Sequence, residues 1–312
     1  MLIGANSTRD PASARQVEII GHRGARGLFP ENSIEGFQAC LDLGVRWFEL
    51  DVGMTADGVV VVSHDPALNP SITRDASGQW LSGTGPLIHQ LTLDALGSFD
   101  VGRIRSASRY RVLHRAQKGR DGVRIPTLAD VLRLSSEARF IIELKTDPRH
   151  PEWTADPASL ADATLDVVDA AGATTRVILE SFDWRGPNHV RRIRPEIPLA
   201  WLTRPGTEHN AVLWWDGVTP ANFNNSVPAT VAAQGGQTWA PMAEALTRNL
   251  VAEAHDLGLL VVPWTVNRRA AMRRLTGWGV DGLITDRPDV AMAVTERDRT
   301  GLNRTGLNAG RA

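Results

Sequence analysis

Cysteine is nearly missing from this 312-residue chain. Cys40 stands alone, which excludes an intramolecular disulfide framework and a cysteine-built zinc site. It falls in the helical pattern Phe37, Cys40, Leu41, where a buried spectator thiol is the natural reading. Net charge is nearly missing as well. With 34 Lys plus Arg against 35 Asp plus Glu, no global basic field marks a nucleic-acid binder, so a local site must draw any anionic substrate. No apolar run reaches the roughly 18 residues that span a bilayer, so no transmembrane segment is expected. Residues 1–16 lack the basic and apolar regions of a secretory signal, which leaves a cytoplasmic location as the expectation. The polar stretch 298–312 carries Thr-Gly-Leu-Asn twice and reads as a loose tail. Oligomeric state is not legible from the sequence.

What the chain has is a regular alternation. Short β-rich apolar runs occur at 17–20, 47–52, 140–144, 176–181, 199–203, 238–240, 259–266 and 282–285. Helical patterns lie between them at 33–43, 127–136, 157–171, 184–194, 227–234, 242–257 and 268–277, with another after Pro288. Eight strands alternating with helices imply a parallel sheet closed into an α/β (β/α)₈ TIM barrel over about residues 17–297. A doubly wound open sheet would more often place a Gly-rich nucleotide fingerprint after the first strand. Here that turn reads His22-Arg23-Gly24. Asn32 followed by Glu35 resembles a capping box, and Pro126-Thr127-Leu128 and Asp156-Pro157 are further helix openings. The span 53–125 is too long for a βα loop. It begins as a hairpin on Asp57-Gly58 and continues as an inserted subdomain after the second strand.

The chemistry concentrates in 20–65. Alternate side chains of a strand share a face, so Glu49 and Asp51 point the same way and repel unless a cation neutralises them. Barrel strands meet at their C-terminal ends, which brings Glu143 to the same rim and completes an oxygen-rich site suited to Mg²⁺ or Ca²⁺. Lys145 shares the face of Glu143 and can hold an anion, while Arg23 offers a planar donor fork to phosphate. His22 ends the first strand, and the hairpin returns His64 opposite it. Two imidazoles across a metal-bound phosphate are what in-line displacement requires, one taking a proton from the attacking oxygen and one giving a proton to the departing oxygen. Each motif alone is weak: Glu49-x-Asp51 could be a solvent-facing edge and Glu143-x-Lys145 a same-face ion pair. Their joint order favours function. Glu31, Asn32 and Asp65 read as structural, capping the first helix and positioning the hairpin.

In order and spacing, His22-Arg23-Gly24, Pro30-Glu31-Asn32-Ser33, Glu49-Leu50-Asp51-Val52, Asp57-Gly58, His64-Asp65, Pro126-Thr127-Leu128 and Glu143-Leu144-Lys145 resemble the glycerophosphodiester phosphodiesterase family. Ser181-Phe182-Asp183, Pro263-Trp264-Thr265-Val266-Asn267 and the run from Gly282 to Pro288 agree with it. The resemblance implies a TIM barrel that hydrolyses glycerophosphodiesters to glycerol 3-phosphate and an alcohol, with His22 and His64 as the acid/base pair. It implies one divalent cation on Glu49, Asp51 and Glu143, with phosphate contacts from Arg23 and Lys145. It also implies that the substrate's own hydroxyl attacks phosphorus first. Glu180 departs from the Gln often found before Ser-Phe-Asp, adding a charge. Rival readings are a lysophospholipase D or sphingomyelinase D-like activity, whose apolar entrance the insertion or Trp214-Trp215 could supply, and a phosphate-binding protein without catalysis.

Tryptophan is abundant, at 10 against one tyrosine. Core packing is the usual role, but Trp264 and Trp201 stand at strand ends and could reach the rim. Trp264 with Phe182 is the expected substrate-contacting pair, with a choline cation as the sharper hypothesis for the leaving alcohol.

Overall fold

The computed structural model describes Leu2 and residues 17–296; the rest of the 1–16 extension and the 298–312 tail lie outside the described residues. Nine strands form one sheet: β1 (Glu18–His22), β2 (Trp47–Met54), β3 (Val60–Val62), β4 (Arg139–Leu144), β5 (Val177–Ser181), β6 (Leu199–Thr203), β7 (Thr238–Pro241), β8 (Leu260–Val261) and β9 (Gly282–Thr285). All but β3 pair in parallel, in the order β8-β7-β6-β5-β4-β2-β1-β9. Backbone bonds from Asp281 N to Val261 O (2.9 Å) and Ile284 N to Pro263 O (3.1 Å) draw the two ends together. The result is the expected (β/α)₈ barrel. The strand expected over 259–266 is only two residues long, because Pro263 has no N–H for the ladder.

Alternation along the strands sorts the core into two layers. Outward residues such as Phe48, Leu50 and Val52 pack against the surrounding helices, with Phe37 of helix Ile34–Asp42 meeting Phe48 edge-on at 5.7 Å. Inward residues Ile20, Trp47, Ile141, Ile178, Ala200, Val262 and Ile284, with Leu2, form an apolar floor inside the barrel. Each fully buried large side chain of this kind contributes about 1.5–3 kcal/mol. Cys40 is a buried free thiol in the outer layer. Trp201 is outward and fully buried, edge-on to Trp184, which stacks on Trp215 at 4.2 Å; Trp214 is buried as well. Trp201 therefore does not reach the rim, and Trp214 and Trp215 do not line the apolar entrance that the rival lysophospholipase D or sphingomyelinase D-like reading would use. Among the described residues no helix is long and apolar enough to cross a membrane.

The expected helices are present with shifted ends. Residues 242–246 precede the helix Arg248–Asp256, which starts where Thr247 caps it, and the 127–136 pattern yields only Leu128–Leu132. Residues 288–296 are helical. The hairpin forms as expected, with Val52 opposite Val62 and Gly58 turning at φ +80°. The span that follows folds around its own small core of Val61, Leu68, Ile88 and Leu96. It reaches back to the first βα loop through Gln117 Nε2 to Arg26 O and Lys118 N to Leu28 O, each 2.8 Å.

Candidate active site

Two residues beyond the apolar floor, five of the strands present a polar group inward. Ile20 is followed by His22, Trp47 by Glu49, Ile141 by Glu143, Ile178 by Glu180 and Ile284 by Asp286. Another two residues on come Asp51, Lys145 and Phe182. A strand period of two thus converts a hydrophobic floor into a charged bowl at the C-terminal rim.

The turn after β1 is shaped by its glycines. A Cβ on Gly21 would lie 1.9 Å from the Gly24 carbonyl oxygen, and Gly24 itself sits at φ +83°. Arg23 (φ +53°) and Asn32 (φ +50°) adopt the left-handed conformation without being glycine. Such geometry costs roughly 1–3 kcal/mol and persists where surroundings over-determine it. Here they do. Asn32 N donates to Arg23 O at 3.0 Å, Arg23 N to Glu49 Oε2 at 3.2 Å, Arg23 Nη1 to Glu31 Oε1 at 2.9 Å, and Asn32 Nδ2 to Asp51 Oδ2 at 2.9 Å. Asn32 is therefore not the cap of the first helix. That role belongs to Ser33, whose hydroxyl accepts from Gly36 N at 3.0 Å. Tyr110 of the insertion donates its hydroxyl to Glu31, so the inserted span buttresses the same corner.

Glu49, Asp51 and Glu143 come together, with one oxygen of each within 4.8 Å of the others. Lys145 Nζ lies 2.8 Å from Glu143 and 3.6 Å from Asp51, while Arg23 Nε is 3.2 Å from Asp51 Oδ2 without hydrogen-bond alignment. Burial outweighs other influences on Glu49, and Asp51 and Glu180 add repulsion, so its carboxyl rises well above the usual range. Glu143 is pushed up to about 7 by burial, against the pull of Lys145 and with the help of Asp51. Its ion pair with Lys145 is thus short yet insufficient to offset desolvation. Asp51 is also penalised by burial, but Arg23, His64 and Lys145 overcome this and hold it low. Asp51 Oδ1 is buried without a hydrogen-bond partner. An orphaned carboxylate oxygen beside two carboxylates that resist ionising is a site short of positive charge. An all-oxygen donor set of this kind fits a hard divalent cation.

The two expected histidines flank this cluster. His22 is buried, its Nδ1 2.6 Å from Asp286 Oδ1 and its Nε2 3.6 Å from Glu49 Oε2. Since Asp286 is held well below the usual carboxylate range by Arg26 and His22 despite burial, it accepts the Nδ1 proton. That leaves Nε2 bare and facing the site. Burial, with Arg26, lowers His22 to about 4. His64 is positioned by Ser63 N, which donates to Asp51 O at 3.0 Å, and its Nδ1 lies 2.7 Å from Asp65 Oδ1. Desolvation, then Arg23 and Lys145, lower it too, although 32 % of its side chain meets solvent. Asp65 orients His64, beyond the structural role expected.

Phe182 and Trp264 meet edge-on across the mouth, 5.3 Å between centroids, with the Trp264 indole donating to Ala240 O at 3.0 Å. Two contributors escaped the sequence reading. Asp286 lies 264 residues from the imidazole it orients, though its place two residues past Ile284 was a usable signal. Glu180 was noted only for its charge; it is buried with Oε2 unpartnered, and burial with Glu143 and Asp51 raises its carboxyl well above the usual range.

Residues 22–290 match the model of the Glycerophosphoryl diester phosphodiesterase family. The chain is 28 % identical over 290 residues to a glycerophosphodiester phosphodiesterase of Bacillus subtilis, covering 92 % of this chain and 89 % of that one. It is 25 % identical over 282 residues to one from Caldanaerobacter subterraneus, covering 89 % and 98 %. A crystal structure from Silicibacter pomeroyi assigned the same family name superposes with TM-score 0.83 at 36 % identity, covering 95 % of this chain and 96 % of the other. The fold is also that of an Oleispira antarctica phosphodiesterase solved with its product sn-glycerol-3-phosphate, at TM-score 0.67 and 20 % identity, covering 89 % and 96 %.

Proposed function

The chain belongs to the glycerophosphoryl diester phosphodiesterase family, and on that premise we propose that it hydrolyses glycerophosphodiesters to glycerol 3-phosphate and an alcohol, using one divalent cation and the His22/His64 pair. The observation that carries this reading is the buried Glu49-Asp51-Glu143 cluster with its orphaned Asp51 oxygen, set between two carboxylate-oriented imidazoles. Glu49, Asp51 and Glu143 would hold Mg²⁺ or Ca²⁺, which when bound would supply Lewis-acid polarisation of the phosphoryl group. Lys145 and Arg23 bind the phosphate oxygens and hold phosphorus between the histidines. His22, neutral with Nε2 bare, takes the proton of the attacking oxygen. Asp286 stabilises the imidazolium that results. His64, on the more open side with Nδ1 held by Asp65, is the general acid: in its protonated, imidazolium form it gives the Nε2 proton to the departing alcohol and is left neutral.

The structure offers no support for a lysophospholipase D or sphingomyelinase D-like entrance at Trp214 and Trp215, since both are buried. A binding protein without catalysis does not need two imidazoles, each backed by a carboxylate. The reading is tested by incubating metal-loaded protein with glycerophosphodiesters, lysophospholipids and sphingomyelin and assaying glycerol 3-phosphate and released alcohol. Turnover of the first class alone supports it, and turnover confined to the lipids overturns it.

A further inference from the structure

The inward file of β6 continues Ala200, Leu202, Arg204; Glu180 pairs with Ala200 and Glu143 with Glu180, so Phe182 falls level with Leu202 and Lys145, and Arg204 stands one inward position further out. Its guanidinium lies 5.3 Å from the Phe182 centroid. The same ring has Lys145 Nζ at 6.0 Å and Trp264 edge-on at 5.3 Å. Phe182 thus links the phosphate-holding lysine to a second cation further out. Arg204 N donates to Thr207 Oγ1 at 3.2 Å, which anchors the backbone, while the side chain is exposed and has no carboxylate within salt-bridge distance among the described residues.

The two sides of the bowl suit different parts of a diester. His22, Arg23 and Asn32 are buried, which fits the invariant glycerol phosphate. The Phe182, Trp264 and Arg204 side is half-buried to exposed, which fits a variable alcohol. A quaternary ammonium there would meet two cations on one ring. An anion would meet an unpaired guanidinium.

Building on the proposed reaction, we propose that Arg204 is a specificity-determining residue that selects leaving alcohols carrying a second anionic group, such as a phosphate, over those carrying a quaternary ammonium. The test compares kcat/KM for bis(glycerophospho)glycerol, glycerophosphoglycerol and glycerophosphocholine in wild type, Arg204→Gln and Arg204→Lys, with metal affinity measured by calorimetry. Wild type should favour the anionic over the cationic substrate by at least about threefold, a preference eroded by salt. Arg204→Gln should shrink that ratio about threefold to fivefold through KM, with Arg204→Lys largely restoring it and metal affinity unaltered. A wild-type preference for glycerophosphocholine, or equal losses on both charged substrates in Arg204→Gln, overturns the inference while leaving the reaction standing. Absence of turnover on all three substrates by metal-loaded wild type instead overturns the underlying reaction.

Discussion

The mouth of the barrel has two unlike halves. Over β1, β2 and β4, polar side chains are buried and tied by bonds of 2.6–3.2 Å, among them His22 to Asp286, Arg23 to Glu31 and Asn32 to Asp51. Over β5 and β6 and at Trp264, the wall is aromatic, partly solvated and ends in Arg204, which has no carboxylate partner among the described residues. Rigid, desolvated groups act where charge moves, because preorganised dipoles cost no reorganisation during reaction. On the proposed reaction, the more exposed aromatic wall is where the departing alcohol would sit. The closed half is thus where substitutions should destroy turnover, and the open half where they should redistribute it.

The largest effect should follow loss of a cluster carboxylate. Glu49→Gln or Glu143→Gln should abolish tight divalent-cation binding by calorimetry and lower kcat by about 10³-fold, the several kcal/mol that a metal contributes. Wild-type affinity in both variants would detach the metal from this half. Next come the imidazoles. His22→Ala and His64→Ala should each lose at least about 10²-fold in kcat with an unchanged circular dichroism spectrum, and the double variant should lose far less than the product of the two. A near-wild-type rate in either removes that histidine from proton transfer. Asp286→Asn should cost about 10- to 100-fold in kcat with KM little changed, since it disturbs only the tautomer and aim of His22; an effect confined to KM would indicate a substrate contact.

A smaller effect marks the border between the halves. Because the folded-state pKa of Glu180 is raised, the native state holds its proton longer than the unfolded chain. That stabilising contribution is complete at low pH and is lost as pH rises above the ordinary carboxylate range. In chelated protein, Glu180→Gln should therefore raise the melting temperature, and more at pH 8 than at pH 5. An equal shift at both values would mean that Glu180 ionises normally.

Much of the closed half was legible because its chemistry is local. Glu49 and Asp51 share a face through a period of two, Glu143 and Lys145 repeat it, and Asp57-Gly58 folds His64 back. The barrel followed from eight alternations. What escaped depends on three-dimensional closure. Asp286 meets His22 only when the last strand joins the first, and Asn32 looked like a cap because nothing local reveals its left-handed backbone. Trp201 and Trp264 look alike in sequence, but Trp201 falls outward, out of phase with inward-facing Ala200, and is buried beneath helices. The open half was least legible, since Arg204 gains meaning only beside Phe182, a contact between neighbouring strands.

Glycerol 3-phosphate release from glycerophosphoglycerol, followed in one sample through chelation and metal restoration, bears most directly on the claim that the Glu49-Asp51-Glu143 cluster makes this barrel a metal-dependent phosphodiesterase. The account predicts steady release by the metal-loaded chain, loss on chelation, recovery with Mg²⁺ or Ca²⁺, and no recovery in Glu49→Gln. Release that continues at full rate under chelation, or recovery in Glu49→Gln equal to wild type, would contradict it.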